Sequence, residues 1–197
     1  ANDHGVATRL RYDQRTSLSE DTINGWKLNS RIDYEFAGRN FRALEPYRPA
    51  EFVRDWNVSG NNFTANEHIV AAEAAFTKAR WGTAGYQLKS YQRGAAYSGW
   101  NNGIFSDLNY KNFVLRGTGS YLSTRSQQQN TGFLRHQFDF SKQIGKVIIG
   151  IRDNAETNRF YAAGNDTLQS NSYAWQEWVG YVSYRDSLKN SGTLSFK

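Results

Sequence analysis

The chain has 197 residues, a formal net charge of +6 at pH 7 and 15% aromatic residues, and it contains neither Cys nor Met. The lack of Cys excludes a disulfide scaffold, a thiolate metal site and a Cys nucleophile. The aromatic content argues against a disordered chain, and the absence of any run of about 18 apolar residues excludes a transmembrane helix. A membrane-spanning β-strand stays open, because only its alternate residues are apolar.

The first elements in chain order alternate apolar and polar residues with a period of two, which is typical of half-buried β-strands. Residues 6–12 carry Val6, Leu10 and Tyr12 on one face. Residues 25–36 extend the pattern over a longer stretch, with an apolar face opposite a charged face. The same period recurs at 84–90, 113–122, 133–140 and 146–153.

Two further segments are less regular. Residues 67–80 are rich in Ala, and the spacing of Ile69, Ala72 and Phe76 also fits a helix. We predict a strand here, because the neighbouring segments are strands and Trp81-Gly82 follows like a hairpin turn. Residues 173–184 are aromatic on both faces, which indicates a bulge or burial on both sides. The sequence leaves the register of both segments open.

The connections between these segments alternate in length. In an up-and-down meander alternate connections lie at opposite ends of the sheet, so the pattern predicts that the long loops share one end. Short turns at one end and long loops at the other are typical of outer-membrane β-barrels. The long connections are 13–22, 45–66, 92–102, 124–132 and 155–171, and the short ones are 38–39, 81–82, 110–111, 142–145 and 186–192.

Strand length points to the same architecture. A strand of about eleven residues tilted by ~40° spans roughly 28 Å, close to the height of the apolar band of such a barrel. Aromatic residues mark both ends of several segments, for example Trp26 and Phe36, as interfacial girdles do. We therefore predict an all-β chain in which residues 1–197 form one antiparallel up-and-down meander of about 10–11 strands. The meander would form a transmembrane β-barrel, or a sector of a larger one, with a long Pro- and Arg-rich loop at 45–66.

The same alternation assigns the two faces of the predicted sheet. The apolar face would contact lipid and the charged face would line the lumen. The predicted lumen-facing residues are Lys27, Arg31, Asp33, Glu35, Lys89, Arg116, Arg135 and Asp139.

Three patches of the chain are distinctive in composition. They are FRALEPYRPAEFVRDWN at 41–57, FLRHQFDFSKQIGK at 133–146 and DTLQSNSYAWQEW at 166–178. With these patches the whole chain resembles the outer-membrane β-barrel proteins of Gram-negative bacteria, and more narrowly the large, aromatic- and Asn-rich barrels of Bacteroidota. The resemblance implies a location in the bacterial outer membrane, and it transfers no functional residue. Such barrels commonly finish on a strand with a terminal aromatic, whereas this chain stops at Phe196-Lys197, and we therefore expect a part of a larger barrel.

The long loop is the most unusual segment, because it holds both prolines of the chain and lies among several arginines. Pro49 is well placed to open a short helical turn at 49–56. Guanidinium groups beside aromatic rings could hold phosphate or carboxylate groups of lipopolysaccharide or of a glycan. Alternatively, Glu45, Glu51 and Asp55 neutralise them within a rigid loop. The candidate ligand-binding residues are Arg39, Arg42, Tyr47, Arg48, Arg54 and Trp56.

These observations predict an outer-membrane β-barrel protein with a structural, transport or assembly role at the cell surface. Its partners would be outer-membrane lipid and lipopolysaccharide, and other outer-membrane proteins in a complex. One alternative is a secreted or surface β-sandwich that binds glycans, and a second is a barrel-borne hydrolase with Glu156 and Asp166 as an acid pair. We predict no catalytic residue, cofactor or metal site, and we interpret His136 as a packing residue. Lys and Arg are mixed with Asp and Glu along the chain, so no nucleic-acid partner is predicted.

Overall fold

The computed structural model describes residues 5–21, 23–41, 56, 65–164, 167–185 and 191–197. Ten antiparallel strands form one open sheet, and their order in the sheet is their order in the chain. This confirms the predicted all-β, up-and-down meander. The strands are β1 (Ala7–Ser17), β2 (Trp26–Ala37), β3 (Glu67–Lys78), β4 (Gly82–Arg93), β5 (Tyr97–Tyr110), β6 (Phe113–Ser126), β7 (Gln129–Ile144), β8 (Val147–Ala162), β9 (Tyr173–Arg185) and β10 (Ser191–Phe196).

Each strand pairs with the next in a continuous antiparallel register, so the period of two assigns every strand residue to one of two faces. We call the face that carries Ile32 and Ile104 the apolar face. The opposite face, which carries Arg31 and Asp139, is called the polar face. These two faces organise the rest of the structure.

The two segments of open register are both strands. Residues 67–78 form β3, as predicted, and the last two residues of the predicted segment belong to the turn before β4. In β9, Tyr173 and Trp175 lie on the polar face while Trp178 and Tyr184 lie on the apolar face, and its pairing with β8 is unbroken. The prediction of a bulge or of burial on both sides is therefore wrong, because the register is unbroken and the aromatic residues are exposed on both faces.

Three of the predicted short turns, at 79–81, 111–112 and 145–146, lie at one end of the sheet, which we call the turn end. It also holds the longer connection 18–25. The opposite end, called the loop end, has short connections as well, so short turns are not confined to one end. At 111–112 both residues have positive φ, 47° for Lys111 and 69° for Asn112, which is the two-residue hairpin geometry that suits the twist of paired strands. The predicted turn at 186–192 lies outside the described residues, apart from the first two residues of β10.

The prediction that all five long loops share one end is wrong. The connection after β1 lies at the turn end, and β1 continues to Ser17, through residues predicted as loop. The predicted loops 92–102 and 124–132 are mostly strand, with connections of only 94–96 and 127–128, and the predicted turn at 38–39 merely begins the long connection 38–66. Only the connections 38–66 and 163–172 are long at the loop end. At 13–17 and 124–132 the strands continue through residues that are polar on both faces, where the alternation carries no signal. At 97–102 the strand instead carries Tyr97 and Trp100 on opposite faces.

The sheet is a single layer. Substantial contacts between strands occur only between sheet neighbours, and β1 and β10 form its two open edges in the described part of the chain. No second sheet packs on either face among those residues. None of the described helical residues forms a helix long and apolar enough to cross a membrane.

Candidate functional site

The distribution of side chains between the two faces is the reverse of that in a soluble protein. The large apolar strand residues that are exposed lie on the apolar face, with Tyr173 and Trp175 as the exceptions. The strand residues that are buried, among them Tyr91 and Leu122, lie on the polar face. The exposed set on the apolar face includes Leu10, Ile32, Val70, Phe76, Tyr86, Trp100, Ile104, Tyr121, Leu134, Phe140, Ile149, Ile151, Trp178 and Val182.

Aromatic rings and lysines meet at the turn end of the apolar face. The ring centroids of Trp26 and Trp81 lie 5.9 Å apart, and those of Trp81 and Tyr110 lie 4.2 Å apart. The Nζ atom of Lys78 lies 4.5 Å from the ring centroid of Trp81, so its charge is held over an aromatic face. On the next strands Lys142 takes the same position over Phe113, at 4.6 Å. This row of rings and ammonium groups is what an interface between apolar and aqueous layers favours.

Ion pairs cover the polar face of β1 and β2. The carboxylate of Asp13 accepts hydrogen bonds from Nε of Arg11 at 2.7 Å and from Nε of Arg31 at 2.8 Å. Arg9 pairs with Asp33 at 3.3 Å. Each pair is solvent-exposed, so each contributes at most about 1 kcal/mol to stability. Together they make this face hydrophilic without a large net charge.

A second ion-paired region covers the polar face from β5 to β9. Arg116 donates to Asp107 at 3.0 Å, Arg152 to Asp139 at 2.7 Å, and Arg135 to Glu156 at 3.0 Å. The hydroxyl of Tyr181 also donates to Asp139 at 2.7 Å, and that of Tyr173 donates to Glu156. The carboxylates are thus occupied by arginine and tyrosine, an arrangement that suits a polar lining better than acid–base chemistry.

The strand register places all the residues that were predicted to face a lumen on this one polar face. Most of them take part in the ion pairs just described, namely Arg31, Asp33, Arg116, Arg135 and Asp139. The remaining three lie on the same face, and they are Lys27, Glu35 and Lys89.

An aromatic cluster is buried on the polar face at the loop end. Trp56, from the long connection, packs on Tyr91 with 5.6 Å between ring centroids, and Tyr91 packs on Tyr97 at 5.2 Å. The hydroxyl of Tyr97 donates to the backbone carbonyl of Trp56, and that of Tyr91 donates to Glu67 at 2.6 Å. Tyr91 and Glu67 are both 1% exposed. With Leu122 these residues form the main apolar core of the described structure, and they cover the loop end of this face.

The candidate ligand-binding residues of the long loop are only partly placed. Arg39 is exposed in the turn that follows β2, and Trp56 is buried in the aromatic cluster. The helical turn predicted at 49–56 lies outside the described residues apart from Trp56. Arg42, Tyr47, Arg48 and Arg54 also lie outside the described residues.

The apolar face carries a polar cluster, formed by His136, Asp153 and Gln176. The sequence did not predict it, because only a lone histidine stood out there. The Nε2 atom of His136 lies 2.8 Å from Oδ2 of Asp153, and the amide of Gln176 donates to the other oxygen of Asp153 at 3.0 Å. Asp153 and Gln176 come from β8 and β9, so only the strand register brings them to His136. All three groups satisfy one another, which keeps this polar patch internally paired.

The described residues contain no group of three or more His, Asp or Glu side chains arranged to hold a metal ion. Comparisons of the chain with protein families, with curated proteins and with solved structures found no match. Function is therefore inferred from the geometry of the two faces.

Proposed function

We propose that the sheet is the membrane-spanning wall of a β-barrel in the outer membrane of a Gram-negative bacterium, or of a sector of such a barrel. The observation that carries the proposal is the inverted distribution of side chains between the two faces. Soluble monomers rarely expose continuous apolar patches of more than a few hundred Å², and a soluble sheet buries its apolar face under a second layer. A lipid bilayer would cover the apolar face without such a layer.

The position of the aromatic and lysine residues supports this proposal. Trp26, Trp81, Tyr110 and Phe113 lie at the turn end, and lysines lie over their rings. In membrane barrels such girdles mark the level at which the strands leave the hydrocarbon layer. The turn end would then lie at the inner surface of the membrane, where barrel turns are short.

The stagger between strands also fits a closed barrel. Gly82, the first residue of β4, belongs to a row of paired residues that continues through Leu108, Leu115 and Phe140. Leu108 lies two residues before the end of β5, and Phe140 lies four residues before the end of β7. Relative to this row, each successive hairpin at the turn end therefore extends two residues further than the one before it. Strands that tilt around a barrel need such a cumulative shift.

Within this class we infer a structural or assembly role at the cell surface in preference to an open pore. The aromatic cluster of Trp56, Tyr91 and Tyr97 fills the polar face at the loop end, and ion pairs line the rest of it. A wide aqueous channel would leave that face free. The glycan-binding sandwich has less support, because the described residues form one sheet and no second sheet packs against it.

Extraction from membranes tests the proposal. The chain, expressed with a signal for export, should stay in the membrane pellet after washing with alkaline carbonate, and should float with lipid vesicles in a density gradient. A soluble periplasmic protein, treated in the same way, serves as the control and should be released. Release of the chain by carbonate without detergent would contradict the proposal.

A further inference from the structure

Two arginines lie near the loop end of the apolar face. Arg125 on β6 and Arg159 on β8 lie on this face and are exposed. Arg125 lies twelve residues beyond Phe113 along β6, and Arg159 lies twelve residues beyond Val147 along β8. At ~3.3 Å per residue and a tilt of ~40°, both guanidinium groups stand about 30 Å above the turn end. This distance equals the thickness of the hydrocarbon layer, so both would reach the headgroups of the far leaflet.

These two arginines differ from three arginines on the polar face of the same strands, β6 to β8, in having no ion pair. Arg116, Arg135 and Arg152 each donate to a carboxylate within 3.0 Å. Arg125 and Arg159 make no salt bridge with any described residue. Two uncompensated cations at the border of an apolar surface indicate an anionic partner from outside the sheet.

The strand register places the two arginines on either side of β7. Arg125 pairs with Asn130 of β7, and Arg159 pairs with Gly132 of the same strand. The arginines are thus two strand spacings apart and offset by two residues along β7, about 12 Å in all, with Asn130 and Gly132 between them. A Cβ atom at Gly132 would meet only the hydroxyl of Tyr121, at 3.4 Å. The surface between the arginines is therefore open. The hydroxyl of Tyr121 and the side-chain amide of Asn130 lie beside it and can donate hydrogen bonds.

We propose that Arg125 and Arg159, with Tyr121 and Asn130, bind the phosphate group of a phosphorylated lipid on the outer face of the sheet. Guanidinium groups pair with phosphate oxygens through two parallel hydrogen bonds, which is why Arg is preferred at such sites. Below the arginines the face continues with the ring of Tyr121 and with Leu134, which pair directly across β6 and β7. These apolar groups fit the acyl chains of the same lipid.

This inference rests on the proposed membrane location, so the test first confirms insertion. The purified chain is reconstituted into vesicles and floated. It is then extracted, and its binding of phosphatidic acid is compared with that of diacylglycerol of the same acyl chains by native mass spectrometry. The test variant is Arg125→Gln combined with Arg159→Gln. Its matched control is Arg116→Gln, which removes an arginine from the same strand on the polar face.

We expect the wild type and the control to retain phosphatidic acid, and the double variant to lose at least about 10-fold of this retention. Diacylglycerol should bind weakly to all three. Equal retention by the double variant and the wild type, or an equal loss in the control, would overturn the lipid site while leaving the proposed function intact. Displacement by equimolar inorganic phosphate would also overturn it, because the site would then recognise the free anion. If the wild type fails to float, both proposals fall.

Discussion

Ile104 shows what the apolar face implies for a single residue. It lies near the middle of β5 with 51% of its surface exposed, and its neighbours across the sheet are Tyr86 and Gly119. On a water-exposed surface, replacing such a residue by Arg would change stability by no more than about 0.5 kcal/mol. Within a bilayer the same guanidinium group has to be taken out of water.

We therefore predict that Ile104→Arg lowers the free energy of unfolding by about 2–4 kcal/mol in lipid vesicles. Unfolding in urea, followed by tryptophan fluorescence, measures this change. The matched control is Asn101→Arg, which places the same group on the polar face of the same strand, and which should cost less than about 1 kcal/mol. Equal losses for the two variants would refute the assignment of the faces.

A second prediction concerns Asp21 in the connection between β1 and β2. Its carboxylate accepts backbone hydrogen bonds from Asn24 at 2.9 Å and from Ile23 at 3.0 Å, and these bonds hold the pKa of Asp21 below its usual value. Because the folded pKa is depressed, the stabilisation of this turn is complete above the pKa of an unfolded Asp. It is lost as the pH falls through the lower, folded value.

The amide resonances of Ile23 and Asn24 should therefore shift together in an NMR titration, with a midpoint below the ordinary pKa of Asp. Asp21→Asn should abolish the shift, since its side chain does not titrate. A midpoint at or above the ordinary value would show that the two hydrogen bonds do not form.

At the scale of the strands, the alternation of residues predicts structure where one face is apolar and fails where both faces are polar. β2 is predictable almost to its ends, because Trp26 and Phe36 bracket a face that is apolar except at Ser30. β5 to β8 are longer than predicted, and the missing part at 124–132 is polar on both faces. A strand that continues beyond an apolar layer loses the alternation of apolar and polar residues, although its backbone stays paired with the neighbouring strands.

The turns show the same division. The turn at 111–112 and the one at Gly145 are predictable, because apolar strands flank them closely. The turn at 127–128 is not, because Gln and Ser give no strong turn signal. It is held by the hydroxyl of Ser126, which accepts from the backbone N–H of Gln129 at 3.0 Å.

The candidate site was predictable only as far as the faces. The alternation alone assigns residues such as Arg31 and Asp139 to one surface, and the register confirms that they share it. The partners in space were not predictable. Trp56 lies 35 residues before Tyr91 in the chain, and only the folded connection brings their rings together.

A further prediction concerns Trp56, which attaches the long connection to the strands. Trp56→Ala removes a buried side chain that packs on Tyr91 and Tyr97, so it should lower the free energy of unfolding by about 3–5 kcal/mol. Tyr97→Phe should cost only about 0.5–1.5 kcal/mol, because it removes one hydrogen bond to the Trp56 carbonyl. Thermal unfolding in detergent measures both. A Trp56→Ala loss no larger than that of Tyr97→Phe would contradict the role of Trp56 as the anchor of the long connection.

At the scale of the whole molecule, the order of the strands fixes which connections share an end of the sheet. Because the chain has no native Cys, single-Cys variants report on one position each. Gln127 and Gly164 lie in connections at the loop end, whereas Ser19 and Lys111 lie in connections at the turn end. In the proposed barrel the loop end would lie at the cell surface, since barrels carry their longer loops there.

A membrane-impermeant maleimide should therefore label Gln127→Cys and Gly164→Cys on intact cells, and should label Ser19→Cys and Lys111→Cys only after the cells are opened. Ser19 is the informative position, because the sequence alone places it with the long loops. Labelling of Ser19→Cys together with Gln127→Cys would contradict the strand order at β1.

The central claim is that lipid covers one face of this sheet and not the other, and β9 offers a matched pair of probes for it. Trp178 lies on the apolar face and is 53% exposed, while Trp175 lies on the polar face of the same strand and is 48% exposed. Bromine atoms on lipid acyl chains quench the fluorescence of tryptophans that touch them. In vesicles of brominated lipid, the quenched intensity is the fluorescence lost relative to vesicles of unbrominated lipid. Trp178→Phe should lower this quenched intensity, and Trp175→Phe should leave it unchanged. If the two substitutions lower the quenched intensity equally, or if the wild type shows no quenching, lipid does not cover the apolar face and the account is wrong.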